Sequence, residues 1–195
     1  QLRAVAQTGK GVHIDVPMMG TSLAIAALQT SEYFGVGKDP VKLGSAHPRN
    51  APYQAFKAKD DYLVMAAGTQ ALWETVCQIL KSPELLKDER FTSTALRAKN
   101  QIALKELIEA ILKQDTAANW IAQFSQAGVP CCPINQYSAV LNDPQTLAMG
   151  WVQPMVMANG QATKTVINPI KFNGATAPIE RRPPRLGEHN SEIVE

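Results

Sequence analysis

The chain has 195 residues, 45% of them hydrophobic, and its 19 Lys and Arg against 17 Asp and Glu leave a formal net charge of +2. That is enough apolar material for a packed core, while the well-mixed charges form no stripe of the kind that nucleic acid or an anionic membrane surface requires, so neither partner is expected. The three cysteines, two of them adjacent at Cys131 and Cys132, do not have the number or spacing of a disulfide framework or a zinc site and read as reduced, packed thiols.

The chain opens at Gln1 without a methionine, in what reads as the last turns of a helix (QLRAVAQ) stopped by Thr8, Gly9, Lys10 and Gly11. It is therefore expected to be a piece of a longer protein. Val12, Ile14 and Val16 alternate with His13 and Asp15, the period of a short strand, before Pro17 opens a helix at the position where its missing N–H is tolerated. From Met18 to Phe34 the apolar residues Met19, Leu23, Ala26, Ala27, Leu28 and Phe34 make a weakly polar helix that is either buried or paired with another chain. The apolar run Leu23 to Leu28 is too short to cross a bilayer, and no basic, apolar and small-residue series marks a signal peptide, so a cytoplasmic protein is expected.

Gly35 to Pro52 is rich in Gly and Pro and reads as a linker, with a boundary near Lys42. Its end, LGSAHPRNAP, combines Gly44, two prolines and Asn50, residues that permit or impose unusual backbone angles, with His47, Arg49 and Asn50 as groups able to bind. Next, Tyr53 and Ala55 and the run Tyr62 to Ala67 flank a polar tip of Lys59, Asp60 and Asp61, which predicts an antiparallel hairpin able to aim the loop before it.

Thr69 is placed to cap a helix with the stripe Leu72, Trp73, Val76, Cys77 and Leu80. Ser82 and Pro83 start a short turn, Phe91 plugs the core, and one long helix is predicted from about Ser93 to Lys113, with Leu96, Ile102, Leu107, Ile108, Ile111 and Leu112 on one side. Asp115 or Thr116 caps a further helix carrying Trp120, Ile121 and Phe124, and Gly128 ends it. Val129 to Ile134 reads as a short edge strand. After short helical turns at Tyr137 to Leu141 and Asp143–Pro144, Val152 to Met157 and Thr163 to Ile167 form a second hairpin around Asn159 and Gly160. The proline-rich tail from Ala175 is expected to lie extended until Ser191 to Val194, which begin to look helical.

Spacing alone says little about chemistry. His13, His47 and His189 are too far apart in sequence to form a recognisable metal motif, no serine sits in a G-x-S-x-G turn, and no phosphate-binding glycine loop is present. Asp60 and Asp61 read as turn residues. His47 and Asn50 are open to two readings, ligand-binding groups or groups that satisfy their own loop's backbone.

The motifs resemble, in order and nearly end to end, those of the class III coenzyme A transferases, the formyl-CoA transferase and carnitine CoA-transferase type. TGKGVHIDVPM, HPRNAPYQAFKAKDDYLVMAAGTQALWETVC, DERF with Arg97 and Asn100, AGVPCCPI, DPQTLAMG, INPIKFNG and PPRLGEH each resemble a marker of that family. The resemblance implies an α/β fold, an interlocked homodimer, and a chain that is mainly the small α+β domain with linkers to a larger nucleotide-fold domain. In that division residues 1–42 end the large domain and carry a linker helix, 43–147 form the small domain, and 148–195 return toward the large domain.

The activity implied is transfer of CoA between an acyl-CoA and a carboxylic acid acceptor through an aspartyl intermediate, the aspartate lying upstream of Gln1, so no residue of this chain is assigned a catalytic role. The coenzyme A thioester is substrate, and no cofactor or metal is expected. His47, Asn50, Tyr53 and Gln54 are the candidate substrate-loop residues. Where some members carry a run of glycines that moves over the intermediate, this chain has His47 to Asn50, so only the loop's position carries over. Two alternatives stay open: an acyl-CoA racemase of the same fold, which needs an acid and a base flanking an α-carbon, and a non-catalytic domain for dimerisation or binding.

Overall fold

The computed structural model describes residues 1–193, which divide into two compact units, residues 1–48 and the residues from Arg49 on. In the first unit α1 (Leu2–Thr8) stops at Gly9, whose left-handed backbone (φ 66°) returns its N–H to the Val5 carbonyl. Residues 9–17 then run without secondary structure. The alternation at Val12 to Val16 therefore does not produce the expected strand, because an extended segment becomes one only when a neighbour takes up its backbone hydrogen bonds.

The single helix expected from Met18 to Phe34 is two, α2 (Met18–Ile25) and α3 (Ala27–Val36), interrupted at Ala26. The hydroxyls of Thr21, Ser22 and Thr30 donate back to the carbonyls of Pro17, Met18 and Ala26 at 3.0, 2.9 and 3.2 Å, competition of the kind that bends helices. Neither helix holds a buried residue.

The second unit is built on the predicted hairpin. β1 (Tyr53–Lys57) and β2 (Tyr62–Ala66) pair antiparallel with Ala55 opposite Val64, and β3 (Cys131–Pro133) adds to β2, giving the order β1-β2-β3. Period-two burial puts Gln54, Phe56, Leu63 and Met65 on the face toward the helices. Against it lie α4 (Gln70–Ile79), α5 (Thr94–Lys99), α6 (Gln101–Leu112) and α7 (Ala117–Gln126), with a 3-10 turn at Pro83–Leu86. Trp73, Val76, Phe91, Leu104, Ile108, Leu112 and Phe124 complete one core.

The caps follow the residue chemistry. Thr69 and Thr116 side chains accept from the N–H groups of Leu72 and Asn119, and Gly128 takes a positive φ of 76° just after α7. The long helix expected from Ser93 to Lys113 is broken at Asn100, whose amide donates to the carbonyls of Arg90 (3.1 Å) and Leu96 (2.9 Å). The predicted stripe holds in part: Ile108 and Leu112 are buried and Ile111 packs against the core, but Leu96, Ile102 and Leu107 are exposed, and Leu104 takes a buried place in their stead.

Beyond β3 come α8 (Tyr137–Val140) and α9 (Pro144–Ala148), the latter capped by Asp143. The hairpin β4 (Val152–Val156) with β5 (Ala162–Val166) turns through Gly160 at φ 85°. A small ribbon β6 (Lys171–Phe172) with β7 (Ala175–Thr176) and a terminal turn α10 (Asn190–Ile193) follow. Val194, the last residue expected in that turn, lies outside the described residues. No helix among the described residues is long and apolar enough to cross a membrane.

Candidate functional site

The loop singled out in the sequence ends where the core of the second unit begins. Asn50 is half-buried, Ala51 and Pro52 are buried, and the Ala51–Pro52 peptide bond is cis. Three contacts hold this tripeptide. The Pro52 carbonyl accepts from the Ala67 N–H at 2.8 Å, which continues the β1–β2 ladder by one step. The Ala51 carbonyl accepts from Nε of Arg97 at 2.9 Å. Asn50 lies over Gly68 so closely that a Cβ at position 68 would stand 2.8 Å from the Asn50 Cβ, and Gly68 is there for the space its missing side chain leaves.

Arg97 is the organising side chain. It is 0% exposed, and its guanidinium meets neutral acceptors: besides Ala51, it donates through Nη1 to Gln70 Oε1 (2.9 Å) and the Phe91 carbonyl (3.0 Å), and through Nη2 to Thr94 Oγ1 (3.1 Å). Thr94 Oγ1 in turn donates to the carbonyl of Gly68 at 3.2 Å, so the group touching the Ala51 carbonyl also steadies the residue beneath Asn50. The guanidinium carbon sits 5.5 Å from the centroid of the Trp73 ring, within cation–π range. Burial pulls the Arg97 pKa down, against smaller opposing pulls from Cys77 and Glu74.

Of the four residues predicted for the substrate loop, Asn50, Tyr53 and Gln54 belong to the second unit and His47 to the first, where it is half-buried. Tyr53 and Gln54 are neighbours on β1 and point to opposite faces: Gln54 is buried on the Phe56 side, while Tyr53 is exposed. Asn50 thus sits next to the Arg97 network, and the two strand residues do not share one surface. Arg97 was legible in sequence only as a motif residue. The signal for its burial lies in its spacing, because 97, 101, 104, 108 and 112 recur at intervals of four and three and all are buried.

Other chemistry is sparse. Among the described residues no group of three or more His, Cys, Asp or Glu could hold a metal ion. The thiols are free, and burial pushes Cys77 up to about 12, which makes it a poor nucleophile. A hollow of about 350 Å³ bounded by Val140, Leu141, Thr146, Trp151, Val152 and Val166 carries no titratable side chain. Asp60, expected only to turn the hairpin, also accepts from the Ala117 N–H at 2.8 Å, and that bond holds its carboxyl below the usual range.

The sequence model of CoA-transferase family III matches residues 1–190. The chain is 34% identical over 193 residues to acetyl-CoA:oxalate CoA-transferase of Acetobacter aceti, a match covering 98% of this chain and 48% of that protein. It is 31% identical over 188 residues to succinyl-CoA:glutarate CoA-transferase of Homo sapiens, covering 96% of this chain and 43% of the other. The crystal structure of a CAIB/BAIF family protein from Brucella suis superposes with a TM-score of 0.79 at 35% identity, over 98% of this chain and 50% of that one. The chain spans about half the length of these relatives, and with an α/β fold, seven ordered motifs and a family match along nearly its whole length, it belongs to CoA-transferase family III.

Proposed function

We propose that the whole protein moves coenzyme A from an acyl-CoA to a carboxylic acid. The observation that carries this reading is the family match across residues 1–190. An enzyme carboxylate attacks the donor thioester, giving a mixed anhydride and free CoA thiolate. The thiolate attacks the enzyme's own carbonyl, releasing the donor acid and leaving an enzyme thioester. The acceptor carboxylate then attacks that thioester and expels CoA, which takes the acceptor acyl group and regenerates the enzyme carboxylate. The attacking aspartate is expected in sequence N-terminal to Gln1.

In this reading residues 43–147 act as the small domain, and the loop ending at Asn50 faces the acyl thioester, where an amide donates to oxygen as negative charge develops. The thioester is the substrate and no further cofactor is used. A reducing, cytoplasmic setting suits three free thiols. A homodimer would cover the exposed apolar side chains of α2 and α3, among them Met18, Ile25 and Phe34.

The full-length protein, given an acyl-CoA and a free acid, should exchange CoA between them, and replacing the upstream aspartate should abolish exchange. Exchange that survives the replacement would defeat the covalent route, and loss of α-deuterium from a branched acyl-CoA without exchange would turn the reading to racemisation.

A further inference from the structure

We infer that Arg97 is a positioning residue for Asn50, working through the Ala51 carbonyl and Gly68. The inference rests on the reading that the loop faces the thioester. A fully buried guanidinium that meets neutral acceptors is an expensive way to hold a core together, since desolvating the charge opposes folding and apolar side chains of similar volume would pack without that penalty. Its planar fork offers something apolar packing does not: hydrogen-bond donors at fixed angles reaching four separate stretches of chain.

Those stretches are Ala51 at the loop's end, Gln70 in the first turn of α4, Phe91 before α5, and Thr94 at the start of α5. The Thr94 bond to the Gly68 carbonyl closes the circuit beneath Asn50. Asn50 is thereby held by the residue that follows it and by the residue under its Cβ, and both are tied to one guanidinium. A displacement of about 1 Å at such a group is enough to lower turnover by about a hundredfold in an oriented site.

The test is a pair of double-mutant cycles in the full-length protein, with CoA exchange from an acyl-CoA to a free acid as the assay. Arg97→Lys keeps the charge but loses the fork. Gly68→Ala leaves the guanidinium in place and puts a methyl against the Asn50 Cβ. Each should lower kcat by about tenfold or more with KM for the acyl-CoA within about twofold, the pattern of a group misplaced in the transition state. In an Asn50→Ala background each should cost less than about twofold further, because the amide they position is gone.

Should Asn50→Ala lower turnover while Gly68→Ala and Arg97→Lys still exert their full effect in that background, the positioning role is overturned and the loop reading stands. Should Asn50→Ala leave turnover intact, the loop reading falls and takes the positioning role with it. If Arg97→Lys melts before assay temperature, Thr94→Val, which keeps the guanidinium but removes its link to the Gly68 carbonyl, takes its place in the cycle with the same expected and overturning results.

Discussion

Trp73 and Cys77 show how burial sets the behaviour of single side chains in the second unit. Trp73 is fully buried beneath Arg97, and its indole N–H finds no acceptor among the described residues. Trp73→Ala is expected to destabilise the protein by about 3 to 5 kcal/mol through the cavity it leaves, whereas Trp73→Phe should lose much less, since it removes an unsatisfied donor together with part of the ring. Chemical unfolding of the two variants measures the difference. Cys77 is buried and pushed up to about 12 by desolvation, while Cys132 is exposed. In native protein an aromatic disulfide reagent should label Cys132 readily and Cys77 only on unfolding. Rapid native labelling of Cys77 would contradict the packing. At the loop, His47→Ala and Asn50→Ala should each lower turnover more than melting temperature, and an equal loss of both would return them to a structural role.

Between elements, the tip of the β1–β2 hairpin is tied to the start of α7. The Lys59 N–H donates to the Asp115 carbonyl at 3.1 Å, and Asp60 accepts from the Ala117 N–H at 2.8 Å. The carboxylate faces the positive end of the helix, so the folded protein favours its ionised form and its pKa is lowered. A depressed carboxylate adds stability that is fully present above the unfolded pKa, about 3.9, and is lost as pH falls through the lower folded value. Asp60→Asn should therefore lower melting temperature at neutral pH, and the gap from the parent protein should close at acid pH; a gap independent of pH would exclude the ionic contribution. On the outer edge of the same hairpin, Glu109 of α6 accepts from the Lys57 backbone N–H at 2.8 Å and so covers a donor that an edge strand leaves open.

Across the chain the buried apolar residues run from Ala51 to Val129, and the helices of the first unit bury none. Stability should follow that distribution. Residues 49–147 produced alone should unfold cooperatively in denaturant with sharp near-ultraviolet dichroism, whereas a peptide of residues 1–48 should show little stable helix, since short helices without a packed face are marginal in water. Cooperative melting of the peptide alone would show that something other than burial within the second unit holds it.

The local features were legible because they depend on residue type and spacing: Thr69 and Thr116 as caps, Gly128 as a stop, the polar tip between two apolar runs, and the stripe of Trp73, Val76 and Cys77. The motif order likewise carried the family. What needed the folded chain was every contact between residues distant in sequence. Asp60 reaches Ala117 and Arg97 reaches Ala51, separations of 57 and 46 residues that no local period encodes. The strand pattern at Val12 to Val16 shows the converse, since alternation supplies side chains for a sheet face but no partner for the backbone. Asn100 broke a helix that apolar periodicity alone would have continued, because its amide found the Arg90 carbonyl ten residues back, and that contact exists only once the loop around Phe91 has packed.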